Sequence, residues 1–250
     1  VLGILILVYT FNFIDRQILG VLAIPIQAEF QVSDTQMGLM RGVAFAIFYS
    51  LLGVPIAWLA DRKNRVWIMT IALTAWSLMT AVCGLTQNAV QLFLARLGVG
   101  VGEAGGVAPA YSIISDYFPP ERRARALAIY SFGIPIGSAI GIIFAGIITT
   151  ILDWRAAFII LGLAGVLLAP VFRMTLREPT RGAQDKPGTK VSAASVPEVL
   201  ATLVRKRSFW FLSTGAAFSS MMGYGLFAWM PAFLSRSYPE ALPEFFSWAE

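Results

Sequence analysis

Apolar residues along this chain fall in long, nearly continuous runs, and short polar breaks separate them. A helix that crosses a bilayer needs ~20 mostly apolar residues, and more if tilted. The pattern predicts seven spans, about Val1–Ile26, Gln36–Ala60, Val66–Leu85, Ala89–Tyr117, Ala124–Leu152, Ala156–Thr175 and Ser208–Ser235. Continuous rather than alternating runs select helices over barrel strands. The one long connection, Arg177–Lys206, opens on REPTRGAQDKPGTK, which is polar and broken by Pro and Gly. Ser195-Val196-Pro197-Glu198 then reads as a capping box that starts a short amphipathic helix, VPEVLATLVRKR, with a basic last turn. An inter-domain strap on the cytoplasmic face fits this composition; a switch or partner site is the alternative.

The expected fold class is an all-α membrane protein. Residues 1–175 form a six-helix transmembrane bundle, 176–207 a cytoplasmic linker with a short helix, and 208–250 the first helix of a second half with an outer loop. Six spans before a linker and one after it predict a piece of a longer protein. Val1 already lies inside an apolar run, so a preceding segment is expected too.

Composition agrees: 57% of residues are hydrophobic, 13% are charged, and the mean hydropathy is +0.72. The formal charge of +5 does not point to nucleic acid, because the basic residues lie in short clusters between apolar runs. Fourteen Lys and Arg fall in Asp61–Arg65, Asp116–Arg125 and Arg173–Arg207, against two (Arg155 and Arg236) in the alternate connections. The positive-inside rule then places the N-terminus in the cytoplasm. That orientation also disfavours a seven-helix receptor, whose N-terminus lies outside. A single cysteine, Cys83, excludes an internal disulfide and a Cys-rich metal site, and no cofactor is expected. With no histidine, proton handling must fall to carboxylates. GxSxG, HExxH and Walker-type loops are absent, and VGVGEAGG lies in a spanning helix rather than after a strand.

Candidate chemistry sits in spans one and four. Arg96 and Glu103 are two helical turns apart, ~10 Å along one face. Each charge at membrane depth costs at least ~2.5–3.5 kcal/mol and needs a partner or a wet path. Asp15 and Arg16 in span one project in different directions, so each should meet a group on another helix, and span four supplies Arg96 and Glu103. Asn12 shares the face of Asp15, and Tyr9 and Gln17 accompany them. Arg41 stands near the start of span two. Arginine stays charged, which leaves Asp15 and Glu103 to change protonation. Proton coupling and a permanently ionised clamp are both open to this quartet.

Three further patterns carry weaker chemistry. Span four holds five glycines, and Gly133, Gly137 and Gly141 repeat every four residues beside Pro135, which suits close packing, either static or rocking. Asp61 in DRKNR, beside Arg62 and Arg65, faces Arg122, Arg123 and Arg125 in ERRAR, as a cytoplasmic latch or a solvated loop. Tyr224 and Trp229 in span seven could line a cavity or face lipid.

NFIDRQIL, DRKNR, RLGVGVGEA, ISDYFPPERRARAL, FGIPIGSAIG, the DWRAAF turn and REPTRG, in this order, resemble the Spinster branch of the major facilitator superfamily. The resemblance covers nearly the whole chain. It implies an N-terminal six-helix half built as a 3+3 inverted repeat plus a seventh helix, with the site at the midplane between two halves. It implies proton-coupled transport by alternating access, with Asp15, Arg16, Arg96 and Glu103 at the positions tied to coupling and substrate. Asp15 and Glu103 are expected to take the proton, and the residues themselves add Asn12, Arg41, Tyr224 and Trp229 to Arg16 and Arg96 as candidate substrate or charge partners. The partners implied are the lipid bilayer, protons and a small amphiphilic or anionic substrate, in the plasma membrane. One departure concerns the latch: Ala57 stands where the family pattern has glycine. A sugar-phosphate or organic-anion exchanger and a non-transporting scaffold or receptor are the alternatives.

Overall fold

The computed structural model describes residues 1–184 and 196–238, and every regular element among them is helical. The chain divides into two compact units, Val1–Pro187 and Gly188–Glu250. In the first unit, α1 (Leu2–Val21) breaks at Leu22 and continues as α2 (Ala23–Phe30). Span two comprises α3 (Asp34–Gly38), a π-helical turn at Leu39–Val43 and α4 (Ala44–Ala60). Span three is α5 (Arg65–Cys83). Span four is α6 (Ala89–Glu103) with α7 (Val107–Tyr117), and span five is α8 (Pro120–Ser131) with α9 (Gly133–Ile151). Span six is α10 (Trp154–Thr175).

Local chemistry explains where these helices begin. Ser33 and Gln36 form a reciprocal capping box, with bonds of 3.2 and 2.8 Å. Asn64, Asn88 and Asp153 accept from the N–H of Trp67, Gln91 and Ala156 at 2.8, 2.9 and 2.9 Å. Each satisfies an otherwise orphaned donor at a span start. Span five begins earlier than the apolar pattern places it. Pro120 occupies the first helical turn, which draws Arg122 and Arg125 out of the expected loop and onto α8.

Six helical stretches among the described residues are long and apolar enough to cross a membrane. In the second unit, α11 (Val196–Arg205) is the expected short linker helix, followed by α12 (Arg207–Ser237). At 31 residues α12 reaches about 46 Å, long enough to cross. It is nevertheless not among the six, because Ser, Thr and Gly dilute its apolar residues. Ser195 of the expected capping box and the chain beyond Tyr238 lie outside the described residues.

The packing carries an internal symmetry. Span one packs on span five, span two on span four, and span three on span six. Exchanging spans one to three with four to six turns the first pairing into the second and leaves the third unchanged. Successive spans reverse direction, so the relation is an inverted 3+3 repeat. Glycines allow the close approaches. A Cβ on Gly141 would lie 3.0 Å from the Ile14 backbone, and one on Gly137 would collide with the Thr10 carbonyl oxygen. On α6, a Cβ at Gly102 would come 2.6 Å from the Trp76 nitrogen. These glycines let α9 seat on α1 and α6 on α5.

Candidate functional site

Adjacent residues on a helix project about 100° apart, so Asp15 and Arg16 turn to different partners. Asp15, 1% exposed, accepts from Arg96 Nη1 at 3.0 Å through Oδ2 and from Thr80 Oγ1 at 2.6 Å through Oδ1. Arg16 Nε donates to Glu103 Oε2 at 2.8 Å. Two ion pairs thus join spans one and four, the spans that the repeat makes equivalent. The Arg16 guanidinium also stands over Phe13, Phe45 and Tyr49, at 5.2, 4.9 and 5.0 Å from their centroids. Those ring faces hold the cation where water has little access.

Arg41, on the π-helical turn, lays its guanidinium against Gly20, where a Cβ would meet Nη2 at 2.5 Å. Gly20 lies one turn beyond Arg16 on α1, and Arg41 is within electrostatic reach of Arg96. Three arginines and two carboxylates therefore gather around spans one and four.

Some buried polar atoms of this cluster have no hydrogen-bond partner among the described residues: Glu103 Oε1, Arg96 Nε and Asn12 Oδ1. An unmet buried polar atom costs about 1–3 kcal/mol, so Glu103 Oε1 is a place for a proton or a donor, Asn12 Oδ1 for a donor such as water, and Arg96 Nε for an acceptor. Asn12, one turn before Arg16, lines a cavity of about 10 Å³ with Tyr9, Trp76, Gly106 and Val107. That volume suits a single water. The helix is cut at the same level. Gly105 and Gly106 bond back to the carbonyls of Gly102 and Glu103 at 3.1 and 3.0 Å, and α7 starts afresh at Val107. Glu103 is thus the last residue of α6, at the edge of an interrupted backbone ladder.

A second cluster ties one end of the bundle. The Arg65 guanidinium, 1% exposed, ion-pairs with Asp116 and Glu178 and donates to Ser112 Oγ at 2.8 Å and to the Pro179 carbonyl at 2.9 Å. Glu178 Oε2 accepts from the Val66 N–H at 2.9 Å, and Asp116 Oδ1 from the Gly182 N–H at 3.0 Å. Arg181 donates to the carbonyls of Ala60 and Lys63 at 2.7 and 2.5 Å. The strap after span six is thereby sewn to the ends of spans two, three and four. The expected meeting of Asp61 with Arg122 and Arg125 does not occur among the described residues. Asp61 is exposed, Arg62 turns onto its own helix over Trp58 at 4.1 Å, and Arg122 and Arg125 are exposed on α8. Of the residues expected there, Arg65 alone sits in a buried network. At the other end of the bundle, Glu29 accepts from both Arg155 Nη atoms at 2.7 and 2.6 Å and from Trp154 Nε1 at 2.7 Å. Those hydrogen bonds hold its carboxyl below the usual glutamate value of 4.5.

Tyr224 and Trp229 lie exposed on α12 in the second unit. Sequence reasoning missed Thr80, the Phe45–Tyr49 rings and the Glu178–Asp116 acids. Thr80 left a faint signal, a hydroxyl in an apolar span. The others depend on partners between 29 and 113 positions away in the chain.

An inverted repeat of apolar helices with ion pairs buried between its equivalent members defines a multi-pass membrane protein of the secondary-transporter architecture. The chain belongs to the Major Facilitator Superfamily, whose model matches residues 5–243. It is similar to the crystal structure of a bacterial homologue of the human lysosomal transporter Spinster in an inward-facing, unoccupied conformation. That likeness has a TM-score of 0.83 and 41% identity over 94% of this chain and 55% of the other. The chain is 35% identical over 249 residues to an MFS-type efflux pump of Mycolicibacterium smegmatis, covering 97% of this chain and 56% of the pump. It is 28% identical over 237 residues to a probable L-galactonate transporter of Escherichia coli, covering 91% and 52%. The chain spans about half the length of these relatives.

Proposed function

We propose that this chain forms the first half of a proton-coupled secondary transporter that works by alternating access and carries an amphiphilic anion, such as a lysophospholipid or a sphingolipid-like molecule. The observation that carries the reading is Glu103: one oxygen is held by Arg16, and the other is buried and uncommitted at a helix break. A proton that settles on Oε1 neutralises the carboxylate and loosens its hold on Arg16. The freed guanidinium, with Arg41 and Arg96 nearby, then meets the anionic head of the substrate. Loss of the proton restores the Arg16–Glu103 pair and expels the anion. Asp15, held by Arg96 and Thr80, is the second titratable member, and Asn12 positions water beside the pair. The inverted repeat and the interrupted spans support alternating access. Tyr224 and Trp229 suit an apolar tail. Arg65, in its network, fixes the cytoplasmic end against which a latch with Asp61, Arg62, Arg122 and Arg125 closes. The Lys and Arg bias supports a cytoplasmic N-terminus, and the plasma membrane is the location this reading assigns.

The test uses the full-length protein in proteoliposomes, with lysophosphatidylglycerol as probe. Glu103→Gln abolishes uptake driven by an imposed pH gradient and leaves the protein folded by size-exclusion profile. Undiminished gradient-driven uptake by that variant overturns the proton role. A second reading is an organic-anion exchanger, favoured by the similarity to a probable L-galactonate transporter, because L-galactonate is a small carboxylate. L-galactonate exchange that needs counter-substrate and ignores pH would select it.

A further inference from the structure

α11 is ten residues long and two-faced. At 100° per residue, Val196, Val199, Leu200, Leu203 and Val204 fall within an arc of about 140°, and Glu198, Thr202 and Arg205 lie on the opposite side. The apolar arc is left open: Val199, Leu200 and Val204 are 43%, 51% and 59% exposed. The helix ends in three consecutive cations, Arg205, Lys206 and Arg207, all exposed. Lys206 is the extended residue between α11 and α12. The elbow is held in shape, because Trp210 Nε1, from the first turn of α12, donates to the Val204 carbonyl at 3.0 Å. Trp210 itself is about half exposed.

We propose that this elbow is a binding site for anionic phospholipid headgroups, with α11 lying in the membrane interface. An exposed apolar arc with cations at one end is the chemistry of a helix that buries one face at the headgroup boundary. A basic cluster immediately before a long helix is placed to meet a negative leaflet. The indole of Trp210 beside it suits the same depth. The inference stands apart from proton coupling and from the choice of substrate.

The test places a spin label at Leu200→Cys in a Cys83→Ala background of the full-length protein, in nanodiscs of phosphatidylcholine with 0 or ~30% phosphatidylglycerol. The label is expected to be accessible to oxygen rather than to a water-soluble nickel reagent, and phosphatidylglycerol is expected to deepen it. Each cation near an anionic surface is worth about fivefold in apparent affinity. Replacing Arg205, Lys206 and Arg207 with Gln should therefore abolish the phosphatidylglycerol dependence, and high salt should weaken it. Thr202→Lys, which adds a cation on the polar face, should strengthen it, so the proposal does not hang on one variant. A label exposed to water at both lipid compositions overturns the proposal. A label shielded from both reagents also overturns it, because another protein surface would then be the occupant.

Discussion

Arg65→Met removes the cation at the centre of the end network and keeps the length and apolar stem of the side chain. The loss can be worked from the contacts. Arg65 holds two carboxylates, a hydroxyl and a carbonyl, at 1% exposure. Asp116 and Glu178 remain behind, 12% and 23% exposed, each keeping one backbone N–H and losing its ion pair with Arg65. Taking one partner from a buried ion pair costs about 3–5 kcal/mol. Partial access of water to both acids points to the low end, about 3 kcal/mol. At 1.4 kcal/mol per decade, that raises the open population of the strap by about 100-fold. Hydrogen exchange of the full-length protein in detergent reads this at Gly182 and Val66, whose N–H groups end on the two acids. Both should exchange about 100-fold faster, with amides in the middle of α5 unchanged. Adding Glu178→Gln removes one orphaned charge and should recover about a third of the loss, a coupling that only contacting groups show. Exchange at Gly182 and Val66 within threefold of the parent would refute the idea that this guanidinium holds the strap.

Gly137→Val should cost about 1–3 kcal/mol, because the added side chain meets the Thr10 carbonyl and Phe13 at the α1–α9 contact; a lower temperature of thermal aggregation checks it, and an unchanged one counts against the glycine seam. Glu29→Gln tests the acid limb of stability. The folded-state value of Glu29 is lowered below 4.5, so its contribution is complete above 4.5 and is lost as pH falls through the folded value. The variant should lack that part of the acid-side decline, while its stability at neutral pH falls modestly because Arg155 keeps only a neutral acceptor. A parent and variant with parallel acid limbs would remove Glu29 from the account.

The spans were legible because a bilayer demands long apolar runs, whereas the caps Asn64, Asn88 and Asp153 emerged only from the N–H groups they accept from. The partners of Asp15 and Arg16 were legible in kind, since acids and cations in hydrocarbon must find each other. Which acid takes which cation was not, because that depends on how α1 is rotated against α6. The interruptions at Leu22, Leu39–Val43 and Gly105–Gly106 were hidden by unbroken hydropathy, which does not register the backbone. The Arg65 network escaped for a different reason. Its acids, Asp116 near the end of α7 and Glu178 after α10, are far from Arg65 in the chain, and DRKNR offered the more conspicuous Asp61 instead.

The two tethers between α1 and α6 leave α1 from neighbouring residues, and so from different azimuths on its surface. Rolling α1 about its own axis moves both anchor points together, so neither tether can be re-aimed alone. Cutting either tether leaves α1 pinned to α6 at one of the two points, and a torque on α1 is then met there alone. Because α9 is meshed with α1 through Gly133, Gly137 and Gly141, that torque is geared directly into span five.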